Sequence, residues 1–318
     1  MPDIALRFHK DMLVLSTPLA AVLARQGVDV ARDLEYLNLI EPEAVRDALR
    51  LESIAGAQCL VAGTEGIAPA RLAHHGMEDR LGDLARAALG IVGSLKPQHV
   101  LAEVGPCGLP LDGSSAASLN ENRSQYARAA RAFEGAALDA FLLGGFANPV
   151  DLKCALMGLR QASDLPVFAA IDVDGDGLVA DGRMAVEEAV ALMGEFGASV
   201  AGITTGAPAD RAAELVERAC ASTDLPVLVQ LRVADHAPRQ GASTPENPYY
   251  CPDVMVDAAA RLRAAGAQFL RAVGDATPAY TGALAAATDG FDVVAPRGAD
   301  PAEDEDDLAT LLSAVRGR

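Results

Sequence analysis

One junction recurs along this chain and constrains its fold more than any other feature. An Ala-rich amphipathic stretch ends at a Gly or an Ala-Asp step, and a short apolar run follows. It occurs at residues 54–63 (IAGAQCLVAG), 134–145 (EGAALDAFLLGG), 196–204 (FGASVAGIT) and 264–273 (AAGAQFLRAV). The Gly suits a helix C-cap, where a left-handed backbone is needed, and the run after it suits a strand buried on both faces. A variant with Pro at the strand entrance occurs at 163–171 (SDLPVFAAI) and 223–231 (TDLPVLVQL). With 12–15 and 99–104, the chain holds apolar runs near residues 12, 58, 98, 139, 166, 199, 225 and 268. Helix-length segments lie between them, among them 42–53, 124–134, 184–196, 209–220 and 252–265. Eight strands alternating with helices predict an α/β fold, a single-domain (βα)8 TIM barrel over residues 1–318. A doubly wound open sheet is the alternative, but no G-x-G-x-x-G follows the first run, and no linker composition divides the chain.

Charge removes several functional classes. With 26 basic and 44 acidic side chains the formal charge is −18, so nucleic acid and anionic membranes are not expected partners. The first ten residues hold no apolar signal region, and no run approaches a membrane span. Five scattered Cys (59, 107, 154, 220, 251) read as free thiols; the expected setting is a reducing, cytoplasmic one. The acidic run 301–307 (PAEDEDD) precedes 308–316 (LATLLSAVR), a charge order that suits a closing barrel helix, with an interaction tail as the alternative.

In a (βα)8 barrel the chemistry lies at the C-terminal ends of the strands. Those ends fall at 15–17, 63–66, 105–108, 144–146, 172–177, 204–206, 232–235 and 274–277. The segment 172–181 (DVDGDGLVAD) looks like half a calcium loop, with Asp172, Asp174 and Asp176 at positions one, three and five. The twelfth position, however, is Arg183 rather than the bidentate Glu, and an ordinary acidic loop is the favoured reading. His74 and His75 are adjacent and diverge on a helix, and Cys107 in a GPCG turn has no identifiable basic partner. Neither a nucleophile elbow nor a phosphate-binding P-loop is present.

Several segments, in order, resemble the homocysteine S-methyltransferase family, whose members are single (βα)8 barrels. They are 37–56 (LNLIEPEAVRDALRLESIAG), 71–76 (RLAHHG), 104–108 (VGPCG), 165–182 (LPVFAAIDVDGDGLVADG) and 249–274 (YYCPDVMVDAAARLRAAGAQFLRAVG), with Thr277-Pro278 at the family's t-P step. The resemblance implies alkyl transfer to a thiol activated on zinc, the metal being held by three thiolates. One thiolate comes from a turn after strand six and two from a turn after strand eight. Here those turns read Gly202-Ile203-Thr204-Thr205-Gly206 and Ala272-Val273-Gly274-Asp275-Ala276-Thr277, so all three are missing. The family's carboxylate after strand four is replaced by Gly144-Gly145.

The resemblance therefore implies a divergent one-carbon or methyl-transfer enzyme without the zinc-thiolate site, and no cofactor is predicted. The alternative is a non-catalytic barrel binding a small ligand or a methyl-transfer partner protein. The pocket candidates are Asp11, Thr64, Glu103, Asp172, Thr204, Thr205 and Asp275. Glu103 stands where the family has a small residue; it is read as a general base or substrate anchor, or else as a salt-bridged carboxylate. Gly and Ala at the strand ends imply a roomier pocket.

Overall fold

A computed structural model describes residues 3–28, 30–180, 182–234 and 241–294. The eight apolar runs are strands: β1 (Leu13–Val14), β2 (Cys59–Ala62), β3 (His99–Val104), β4 (Ala140–Phe146), β5 (Val167–Asp172), β6 (Val200–Thr205), β7 (Val227–Val233) and β8 (Ala267–Gly274). All neighbours are parallel, in the order β1-β8-β7-β6-β5-β4-β3-β2. A bridge between Leu15 and Cys59 closes the ring, so the chain forms a (βα)8 barrel.

Helices α1 (Leu19–Arg25), α2 (Val30–Ile40) and α3 (Pro42–Ala55) follow β1, and α4 (Pro69–Ala73) and α5 (Leu81–Ser94) follow β2. Among the described residues a single helix follows each later strand: α6 (Ala116–Arg131), α7 (Pro149–Arg160), α8 (Val186–Glu195), α9 (Ala209–Cys220), α10 (Val254–Ala264) and α11 (Pro278–Thr288). The junction glycines behave as the sequence requires. Gly56, just past α3, has φ 105°, and a Cβ there would lie 2.8 Å from that of Ala285. Helix α6 starts well before the predicted 124–134, because Ser115 caps it by accepting from the Ser118 amide. The acidic run 301–307 and the segment 308–316 lie outside the described residues.

Apolar side chains form two shells. Between strands and helices lies the larger one, including Val14, Leu60, Val104, Leu143, Ile203 and Leu231. Inside the ring, Leu13, Leu15, Cys59, Val61, Leu101, Leu142, Phe168, Val200, Leu228 and Phe269 fill the lower layers. The N-terminal segment seals this end: Ile4, in a short 3-10 turn (Ile4–Arg7), packs into the inner cluster, as does Phe8. No helix among the described residues is long and apolar enough to cross a membrane.

Candidate functional site

Strand alternation fixes which side chains look inward at the C-terminal end. Two residues above Leu101 stands Glu103, two above Phe269 stands Arg271, and two above Leu228 stands Gln230. The apolar filling of the barrel therefore gives way to a polar layer.

Arg271 is 1% exposed and anchors that layer. Its guanidinium crosses the interior from β8 to β3 and meets Glu103 as a fork, Nη1 to Oε1 at 2.9 Å and Nη2 to Oε2 at 2.8 Å. Nε donates to the Ser16 carbonyl at 2.9 Å, and Nη1 also donates to Gln230 Oε1 at 3.1 Å. Gln230 donates onward to Thr204 Oγ1 at 3.0 Å, and Thr64 donates to the Glu103 carbonyl at 2.8 Å. A buried ion pair survives only when its remaining polar atoms are satisfied, and this one is. Room for it comes from β4: a Cβ on Gly144 would lie 2.4 Å from Glu103 Oε1. Gly144 does not leave the expected open space, because the carboxylate of Glu103 fills it.

Three charged pairs ring the mouth above. Asp172 at the end of β5 meets Arg232 on β7 at 2.8 Å, and its other oxygen is buried without a hydrogen-bond partner. Asp275, after β8, pairs with Arg25 on α1 at 2.5 Å. Glu65, after β2, faces Arg71 at 3.8 Å and lies over Gly105. Burial pushes the Glu65 carboxyl above the usual carboxylate range, and the Glu103 charge pushes it further; Arg71 opposes both. A cavity of about 400 Å³ beside Glu65 is lined by Glu35, Arg71, His74, His75 and the apolar Val30 and Leu34.

The structure thus brings Thr64, Glu103, Asp172, Thr204 and Asp275 to one end of the barrel. Thr205 sits there too but points out of the ring, where its hydroxyl accepts from the Ala207 amide at 3.1 Å. Asp11 belongs to the other end: it precedes β1, pairs with Arg7 and bridges Asp292. As a pocket candidate it is displaced, because the C-terminal end of that short strand begins only at Leu15. Glu103 takes the salt-bridged form, with both oxygens engaged by Arg271. The sequence reading missed Arg271, Gln230, Arg232, Arg25 and Glu65.

The acidic loop after β5 is likewise occupied. Asp174 accepts from the amides of Asp176 and Leu178, both at 2.9 Å, while Arg218 takes the Asp176 carbonyl and Arg211 its carboxylate. Cys107 is buried against Asn122 at 3.1 Å, and burial raises its thiol above the usual range. The zinc site that the family resemblance implies does not fit these residues. The two turns offer Thr204, whose oxygen is taken by Gln230, and Asp275, taken by Arg25, while the buried guanidinium of Arg271 holds positive charge in the layer just below. Among the described residues no three His, Cys, Asp or Glu side chains gather closely enough to hold a metal ion.

No protein-family model matches the sequence, and no curated protein matches it. Solved structures match the fold. The metallated homocysteine methyltransferase MmuM from Escherichia coli aligns with a TM-score of 0.71 at 19% identity, over 87% of this chain and 96% of that one. Its apo form aligns at 0.64 and 18%, over the same shares. The carboxyl transferase domain of Rhizobium etli pyruvate carboxylase with pyruvate and biocytin aligns at 0.53 and 14%, over 99% of this chain and 49% of that one. These likenesses establish the barrel fold of the chain.

Proposed function

We propose that this chain is a distant relative of the homocysteine methyltransferase barrels, one domain over 1–318, whose mouth has been rebuilt for chemistry without a zinc-bound thiolate. It acts on a small polar molecule, in a one-carbon or methyl transfer, at the C-terminal end of the barrel. One observation carries the reading: a fully hydrogen-bonded Arg271–Glu103–Gln230–Thr204 layer forms a rigid polar floor under the mouth. Above that floor, the exposed guanidinium of Arg232, held by Asp172, offers a cation to one ligand, with the unpartnered Asp172 oxygen buried behind it. Glu65, inclined to keep its proton, is the side chain suited to donate one.

A second reading is favoured by the same fork. With Glu103 neutralised, the floor holds no free base, as in a non-catalytic barrel that binds a small ligand or a methyl-transfer partner protein. Zinc analysis of freshly purified protein, with thermal-shift screening of small polar ligands and a homocysteine methylation assay, tests the proposal. The expected result is substoichiometric zinc, no homocysteine methylation, and stabilisation by a polar ligand that is lost in D172N. Stoichiometric zinc or methyl transfer to homocysteine would overturn it.

A further inference from the structure

At the end of the barrel away from the mouth lies a buried group with no role in that reading. His99 opens β3 with its side chain inward, in step with Leu101 and Glu103. It is 0% exposed, and neither ring nitrogen has a hydrogen-bond partner. A neutral imidazole carries one donor and one acceptor, so the site leaves both unmade. Cys59 is its register partner on β2 and belongs to the inner cluster, which puts thiol and imidazole in one layer.

That layer is closed by the N-terminal segment. Fully buried Ile4 packs into the inner cluster, and Phe8 sets its ring edgewise against Phe168 and Phe269 at 6.1 and 6.0 Å. The segment is tied by backbone bonds, from the Met12 amide to the Phe291 carbonyl (3.0 Å) and from the Val293 amide to the Lys10 carbonyl (2.7 Å), and by the side chain of Gln268. It donates to the carbonyls of Arg7 (2.6 Å) and Asp11 (2.9 Å) and accepts from the His9 amide (2.8 Å). The charged groups facing His99 are Asp139 at the start of β4, and Arg7 and Asp3 on the segment itself. Burial holds the imidazole below its ordinary value; Asp139 opposes this, Arg7 reinforces it and Asp3 opposes it.

We propose that residues 3–12 form a pH-gated stopper: His99 is neutral beneath the closed segment, and its protonation in mild acid favours release of the segment, opening the barrel floor and uncovering Cys59. The sign follows from linkage. A water-exposed histidine titrates near about 6.5, above the value in the closed form, so below that pH the open form binds more protons. The opening constant rises as pH falls, by at most about tenfold per pH unit, and levels off below the closed-form value.

The test uses the whole chain and two readouts: labelling of Cys59 by methylmercury relative to half-buried Cys251, and amide exchange over residues 4–12. Both are followed by mass spectrometry from about pH 7.5 to about pH 5, the range in which histidine changes charge. Using Cys251 as reference removes the intrinsic pH dependence of thiol attack. The Cys59-to-Cys251 ratio, and the exchange of 4–12 divided by the intrinsic base-catalysed amide rate at each pH, are expected to rise together below about pH 6.5, several-fold to tenfold per unit. Both stay flat in H99F, and in H99M should the larger ring prevent folding. A flat ratio in the wild type, or the same pH response in the variants, would overturn the proposal.

Discussion

The fork between Arg271 and Glu103 predicts an unusual mutational pattern. Arg271→Met removes the cation and leaves a carboxylate whose side chain is 10% exposed without its partner. Removing one member of a buried pair costs about 3–5 kcal/mol, chiefly because the survivor remains desolvated and uncompensated. Glu103→Leu strands the guanidinium and falls in the same range. At roughly 2–4 °C per kcal/mol for a large domain, each single variant should melt on the order of 10 °C lower. The double variant E103L/R271M removes both charges, and replacing a buried ion pair by packed apolar groups is often neutral or better. It should therefore regain most of the loss. Urea unfolding followed by circular dichroism, with thermal melts beside it, measures the cycle. Single variants within about 0.5 kcal/mol of wild type, or a double variant no more stable than the worse single, would show that the pair is not the desolvated unit described here.

Other predictions follow from the same site. Gly144→Ala puts a methyl group 2.4 Å from Glu103 Oε1, so it should cost about 1–3 kcal/mol in a urea titration by overpacking, and the E103S background should relieve it. Glu65 has a folded-state carboxyl raised above its unfolded value, so the native state holds the extra proton and stability declines as pH rises through that window. E65Q should then melt higher than wild type at neutral pH, with the advantage gone below about pH 4. Alkylation at pH 8 should spare Cys107, which burial makes a weak nucleophile, and should spare Cys220, pushed up to about 11, relative to Cys251; peptide mapping reads the order.

Much of the fold was legible because barrel strands announce themselves as short apolar runs after a helix-ending glycine, and all eight runs became strands. The site was less legible, for a physical reason. Thr204 was found by counting to strand ends and Glu103 by its contrast with the small residue of the resembled family, and each route locates a position but not its partner. The partner, Arg271, sits in plain view inside AQFLRAV, a charged residue within a doubly buried strand. Period-two counting would have placed it inward, beside the Glu of HVLAEV, and a buried guanidinium demands such a carboxylate. Asp11 was misplaced because β1 is only two residues long, so which end of it a neighbouring residue occupies is hard to count from sequence. The unpartnered oxygen of Asp172 and the isolation of His99 have no signature in sequence, since each is defined by groups that are absent around it.

The shortness of β1 also bears on how the barrel is assembled. Its ladder to β8 pairs only Leu13 with Phe269 and Val14 with Leu270, and its other side is stitched by the bonds of Ser16 to Cys59 and Gln58 to Val14. On a ribosome this first stave is made early, yet its main neighbour is among the last strands to emerge. The remaining seven strands pair with chain neighbours and can accumulate in order of synthesis. Ring closure then becomes a late, long-range event resting on a handful of backbone bonds, and a nascent chain stalled before Phe269 would display an open sheet with two raw margins, β7 at one side and the short β1 beside β2 at the other, for chaperones to guard.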